Sequence, residues 1–439
     1  MTVLDLDEVA PAPPHPRRGG WLVALTGLLT IALVIAGTAM WQRRQVEEPL
    51  LTPDWEAPPS EVVWTMSPTA SATDDDMFTY LMPVSPDHAL VFYSGLTAWA
   101  ALPTDTALAL LDLRTGQRLW ERALDGRQSY PLAARPGKYI VEIVVSTSPS
   151  GSAAVRTTDW TTGAELSRLD DVDPASFQGF GGRILPPDVD TLALSHDDRV
   201  GLHRVLELDD PVWEADDASR VLAVTDDIVV TARAAYDRAT GSVQEWDSLP
   251  AGQSWVQGVG DGLVESRTDG AVVRWETSHG RALWTRTGAS LLFATDGVVA
   301  VSTETGRWPE SQLLLLDPTT GAPLPGSEPI HLPADAWAQA LPHTDLFMTT
   351  APDGVSLHSL TTGRVLTTIA SPGSTDGWLG LSGQGRETLY LDIQGDLGAY
   401  DIATGRELWR TTDAATYTII GSHLLEVSTT GDGRLTALR

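Results

Sequence analysis

Past residue 60 the chain repeats itself, and units too small to bury an apolar face alone must stack into an array or close into a ring. The clearest copies are LLDLRTGQRLW (residues 110–120) and AYDIATGRELW (residues 399–409). A Thr–Gly pair or its equivalent falls at Gly116, Gly163, Gly241, Gly280, Gly321, Gly363 and Gly405. Successive gaps run from 39 to 47 residues, apart from one of 78 that spans two periods, with a degraded copy near Asp209, Asp210 and Trp213.

Each copy reads as an apolar strand, a turn on Asp-x-x-Thr-Gly, and a short strand ending in Trp. The Asp carboxylate can accept amide hydrogens within the turn, and glycine supplies the positive φ that such a turn requires. The Trp four residues beyond the glycine offers a large apolar face to the neighbouring unit and an indole N–H to donate. Asp112, Asp159, Asp237, Asp317 and Asp401 hold the turn position. Thr115, Thr240 and Thr404 precede their glycines, and Trp120, Trp284 and Trp409 stand in the docking place. Trp246 is one residue late, and Ser167, Pro325 and Thr367 replace the Trp in their copies.

No segment past residue 60 keeps a helical period; apolar or alternating runs of four to eight residues recur between Gly, Pro and Asp. The fold class is all-β. A unit of about 40 residues that holds four short strands is one blade of a β-propeller. Residues 61–439 are therefore expected to form a single propeller; the period gives about nine units and its spread permits eight, with seven to nine as bounds. Glu61-Val62-Val63-Trp64 reads as a stray outer strand and Arg434–Arg439 as a strand lacking its successor. Their pairing would complete one blade from both ends and remove two open edges.

Ahead of the repeats, residues 1–20 form a polar tail that ends in Arg17 and Arg18, and residues 21–41 carry no charge and are bracketed by Trp21 and Trp41. That length reaches the ~30 Å of a bilayer core, and the terminal aromatics suit its interfaces. Arg43 and Arg44 follow at once, as in a stop-transfer flank, so a retained transmembrane helix is expected in preference to a cleaved signal peptide. Residues 42–60, with Pro49, Pro53, Pro58 and Pro59, read as a stiff linker.

The 439 residues include 29 basic and 58 acidic side chains, a net charge of −29, which opposes binding to nucleic acid. There is no cysteine and no asparagine. The absence removes disulfides, thiolate metal sites and a lipid anchor on cysteine.

The pattern Ala-x-Asp-x-x-Thr-Gly-x-x-x-Trp resembles the docking repeat of the PQQ-like, or quinoprotein alcohol dehydrogenase-like, propellers. Ala399, Asp401, Thr404, Gly405 and Trp409 match throughout; Asp112, Thr115, Gly116 and Trp120 match with Leu110 in the alanine place, and Asp237, Thr240 and Gly241 with the Trp displaced. The resemblance implies eight blades and an exported domain. It thereby orients the anchor: N-terminus cytoplasmic, propeller extracytoplasmic, a single-pass protein of a bacterial cell membrane.

Enzymes of that family hold pyrroloquinoline quinone and a calcium bound by Glu and Asn, often beside a disulfide of adjacent cysteines. Without Asn and Cys the frame is expected to persist without its catalytic site, so neither PQQ nor calcium is expected as a cofactor. A non-enzymatic member is the lipoprotein scaffold of an outer-membrane assembly machine, but its lipidated cysteine is absent here and its partners do not carry over.

The histidines, among them His88, His196, His203, His279, His331, His343, His358 and His423, show no metal-binding spacing. The acidic groups at 74–76, 170–173, 188–190 and 209–210 follow no calcium-loop pattern and read as solvated turns. Gly258-Val259-Gly260-Asp261-Gly262 lacks the βαβ context of a nucleotide loop and reads as a hairpin. A binding or scaffold module for a protein or envelope component is the expectation. The alternative is a PQQ-dependent dehydrogenase with an atypical site; a sensor role is weakened by the short tail, which has no room for an output domain.

Overall fold

The computed structural model describes residues 52–66, 77–95, 104–124, 127–146, 153–172, 190–251, 254–304, 311–333, 336–341, 344–351, 354–370, 379–393, 396–411, 415–428 and 434–439. The polar tail and the transmembrane helix expected over 21–41 lie outside these residues. Among the described residues no helix is long and apolar enough to cross a membrane.

The described secondary structure is antiparallel strand throughout, gathered in eight sheets. The first is a plain meander of Met77–Ser85, His88–Gly95, Thr104–Asp112 and Gln117–Ala123. Five more four-stranded meanders occupy 221–244, 255–287, 289–332, 337–370 and 379–410. The sheet over 127–215 has seven strands, and its halves meet at a single pair, His196 with Val172. Its second half, Thr191–His196, Arg199–Arg204 and Glu207–Ala215, is the degraded copy expected around Asp209, Asp210 and Trp213. The eight expected blades are met when sheets are counted, and the nine units given by the period when this sheet is divided.

The eighth sheet confirms the closure read from the two ends. Ala415–Ile420, His423–Ser428 and Leu435–Leu438 are joined by Val62–Met66, with Trp64 opposite Ala437 and Met66 opposite Leu435. Glu61 and Arg439 exchange both backbone bonds, at 3.0 and 2.8 Å.

Packing makes these sheets a ring. In the first sheet Ala89, Val91, Ala109 and Leu111 face the closing sheet and touch Leu425, Leu435 and Ala437. Their neighbours Leu90, Phe92, Leu108 and Leu110 face the other way, toward Ala134 and Ile140 of the next sheet. Strands buried on both faces read as continuous apolar runs, which is why the sequence shows runs such as Leu108–Leu111. The same face-to-face packing continues from unit to unit until Tyr390, Ala399 and Trp409 meet Tyr417 and Leu424. Every inner sheet face is thus covered by a neighbour, and the arrangement is that of a β-propeller.

Candidate functional site

The turns behave as their residues dictate. Gly116, Gly241 and Gly405 lie at φ of 70°, 70° and 67°, where a β-carbon is disfavoured, and each donates its amide at 2.8 Å to the carbonyl of Asp112, Asp237 or Asp401 four residues back. Asp237 Oδ1 accepts the amide and hydroxyl of Thr240, both at 2.8 Å; Asp401 accepts those of Thr404 at 2.7 and 2.6 Å. In the first unit Asp112 takes the amides of Arg114 and Thr115 instead. Hydrogen bonds from the threonine hydroxyl and amide hold Asp237 and Asp401 below the usual carboxylate range.

These turns are the sockets for the tryptophans. Trp64 lies on Gly116 and its Nε1 donates to Leu113 O at 2.7 Å; Trp120 lies on Gly163 and donates to Trp160 O at 2.8 Å. Trp213 and Trp284 repeat this on Gly241 and Gly321, donating to Arg238 O and Pro318 O. In each socket a β-carbon on the glycine would fall about 2.6–2.7 Å from the indole ring, so glycine serves both the turn and the close approach.

Where the pattern is broken, the contact changes. Trp246, one residue late, still covers Gly280, but its buried Nε1 finds no partner. Ser167 reverses the polarity, its Oγ accepting from Leu208 N at 2.7 Å. Thr367 fills the socket at Gly405, and Ile330 approaches Gly363 in place of an indole. Trp409 turns to a carbonyl ahead of the ring, donating to Trp55 O at 2.9 Å. From Thr52 onward the Pro-rich stretch is fastened to the 379–410 sheet: Thr52 N donates to Gln384 O, and Tyr390 Oη donates to Pro53 O at 2.6 Å.

The residues singled out in the sequence are therefore spread around the ring, one socket per unit, and do not converge on one pocket. The GVGDG segment is the hairpin turn expected of it, with Val259 paired to Gly262. Three members of the acidic groups meet arginines: Asp170 takes Arg168, Asp210 lies 3.5 Å from Arg204, and Asp190 takes Arg135 and also accepts from Tyr139 Oη. Glu142, fully buried, accepts from Arg122, Arg156 and Ser129. Burial opposes its charge, yet the two guanidiniums outweigh this and hold its pKa below the ordinary value.

A second periodic feature accompanies the docking residues. The residue just before the docking position is apolar in most units: Val63, Leu119, Leu166, Val212, Leu283, Leu324, Leu366 and Leu408, with Glu245 as the exception. All of these apolar residues but Leu324 are the extra residue of a β-bulge beside the docking position, as Leu119 is between Trp120 opposite Leu110 and Arg118 opposite Leu111, so they have no partner in the ladder. Leu119, Leu324 and Leu408 are tucked against core clusters, but Val63, Leu166, Val212, Leu283 and Leu366 remain 37–52% exposed. All nine exposed large apolar side chains among the described residues lie on these outer strands or, for Leu206, on the turn leading into one.

The degraded unit also gathers three chemically active side chains. His196, His203 and Glu214 come from its three adjacent strands, with their ligand atoms within 4.8 Å of one another. Gly201 makes the gap between them: it pairs with Leu194 on one side and Glu214 on the other. A β-carbon there would stand 2.7 Å from His203 Nε2 and 3.1 Å from Glu214 Cγ. The one signal for this in the sequence is a glycine inside a strand, which marks a close approach but does not say of what.

No family model matches the chain, and no curated protein matches it. Among solved structures it is similar to BamB from Moraxella catarrhalis, at 15% identity and a TM-score of 0.41, over 86% of this chain and 99% of that one. It is also similar to the computationally designed Ika8 protein, at 17% identity and a TM-score of 0.44, over 83% of this chain and 96% of that one.

Proposed function

We propose that this chain is a membrane-anchored, extracytoplasmic propeller whose outer rim binds a protein or envelope component, without catalysis. The observation that carries the reading is the recurrence of exposed apolar side chains on the outer strands. Apolar groups on strand edges are open to added strands and to partner surfaces, and recurring ones form an extended contact line. The uncharged span at 21–41 supports the anchor, and the PQQ-like resemblance supports the outside placement. The repeat motif itself supports a structural role, since its Asp, Thr and Trp side chains and its glycine backbone are used in turns and sockets.

Photo-crosslinkers placed at Leu166, Leu283 and Leu366 of the full-length chain in membranes test the rim. A discrete adduct, lost when a second rim leucine is replaced by Asp, is expected; adducts indifferent to such replacement would overturn the rim reading. Saturable binding of PQQ with calcium, coupled to dye-linked alcohol or sugar oxidation, would overturn the absence of catalysis. Protease added to intact cells should remove the propeller and spare residues 1–20, and protection of the propeller would reverse the topology.

A further inference from the structure

We propose that His196, His203 and Glu214 form a binding site for a divalent transition metal ion of the zinc type, stapling the three strands of the degraded unit. Two imidazole nitrogens and a carboxylate oxygen are a donor set that zinc uses with its fourth position open. Calcium, which takes six to eight oxygens, is poorly served by it.

The decisive member is His203. Its side chain is fully buried, and its Nδ1 lies 2.7 Å from Leu208 O. A carbonyl can only accept, so Nδ1 carries the hydrogen and Nε2 is left with a lone pair. That Nε2 has no partner, although it is buried and points into the gap over Gly201. An orphaned buried acceptor costs about 1–3 kcal/mol, and a metal ion would satisfy it. Hydrogen bonding of the far nitrogen to a carbonyl is also how metal-binding histidines are oriented.

The other two ligands lie on the solvent side. His196 Nε2 is 3.0 Å from Glu214 Oε1, and Asp197 stands 3.7 Å from His196 Nδ1, where it can hold a proton on that nitrogen. Arg199 occupies the second oxygen of Glu214 at 3.1 Å and also approaches Asp216. Oε1 therefore remains directed at the histidines. Bonds of about 2.1 Å in a tetrahedron set donors roughly 3.4 Å apart, so closing on an ion takes about an ångström of movement by the solvent-facing pair. The ion would take the place of the contact between His196 and Glu214.

Full-length protein, stripped with a chelator in detergent, would be titrated with zinc chloride by calorimetry and with cobalt by visible absorption. One equivalent per chain, a cobalt spectrum of low-coordinate intensity and a higher melting temperature with zinc are expected. Glu214→Gln and His196→Gln, which leave the buried histidine in place, should each weaken zinc at least tenfold. Gly201→Ala should do the same by filling the gap, while Arg199→Gln should leave binding intact or tighten it. No saturable binding at micromolar zinc would overturn the proposal and leave a histidine–carboxylate pair. So would stoichiometric binding that Glu214→Gln and His196→Gln do not change.

Discussion

Trp409 Nε1 donates to the carbonyl of Trp55 at 2.9 Å across a sequence separation of 354. The indoles of Trp64, Trp120, Trp213 and Trp284 each reach the residue after the turn aspartate of the next unit, as Trp120 does with Trp160. Here the acceptor comes from the stretch ahead of the ring, and the Trp55 ring meets Tyr390 edge-on with centroids 5.4 Å apart. Trp55→Ala should lower stability by about 1–3 kcal/mol from lost aromatic burial. Urea unfolding of the full chain checks the magnitude, and limited proteolysis should show faster cleavage before residue 60.

Trp120 and Trp246 differ by one hydrogen bond. Replacing Trp120 with Phe strands the Trp160 carbonyl, whereas Trp246→Phe removes an indole N–H that has no partner. Both lose similar ring area. The first should therefore destabilise by about 1 kcal/mol more than the second, a difference readable from paired urea midpoints.

Gly137 and Gly241 separate strain from collision. Both lie at positive φ, 74° and 70°, but an added β-carbon meets nothing within 4 Å at Gly137 and falls 2.6 Å from the Trp213 ring at Gly241. Gly137→Ala should cost about 1–2 kcal/mol for the left-handed backbone alone. Gly241→Ala should cost clearly more, with Trp213 fluorescence altered only in that variant.

Acid should weaken the ring in two stages. His358 is buried and neutral, its Nδ1 donating to Gly363 O and its Nε2 accepting from Thr349, and burial lowers its pKa. The folded state then holds fewer protons than the unfolded one, so its contribution is present above about pH 6.5 and is lost as pH falls below that. Asp237, Asp401 and Glu142 are also lowered, and what they contribute is present above about pH 4.5 and lost as pH falls further. Chemical denaturation between pH 2 and 8 should show both stages, and His358→Gln should flatten the upper one.

Local chemistry explains how much could be read from the chain alone. A glycine at positive φ, a threonine that returns to its aspartate and an indole four residues on are all set within about ten residues, so the units and the closing strand pair were legible. The docking of Trp55 was not, because prolines in a polar stretch read as a spacer and the acceptor is a backbone carbonyl with no sequence mark. His196 and His203 show no metal spacing along the chain and Glu214 carries no mark of its own, because the three are joined by strand register alone. The apolar position before the docking residue is hidden in the sequence by the tryptophan beside it, which dominates the pattern. The 78-residue gap announces two units there, but their joining into one sheet rests on the single bridge between Val172 and His196, which no local signal announces.

The sheet shared by Val62–Met66 and Leu435–Leu438 also sets an order in time. The earliest-made strand of the ring has no hydrogen-bonding partner until nearly the last residues have left the ribosome. Until then the units form an arc with two bare edges, able to pair with any strand they meet, including those of a second nascent chain. Prompt delivery of residues 435–438 is what makes the intramolecular partner win, so stalled or clipped chains are the copies most prone to link with one another.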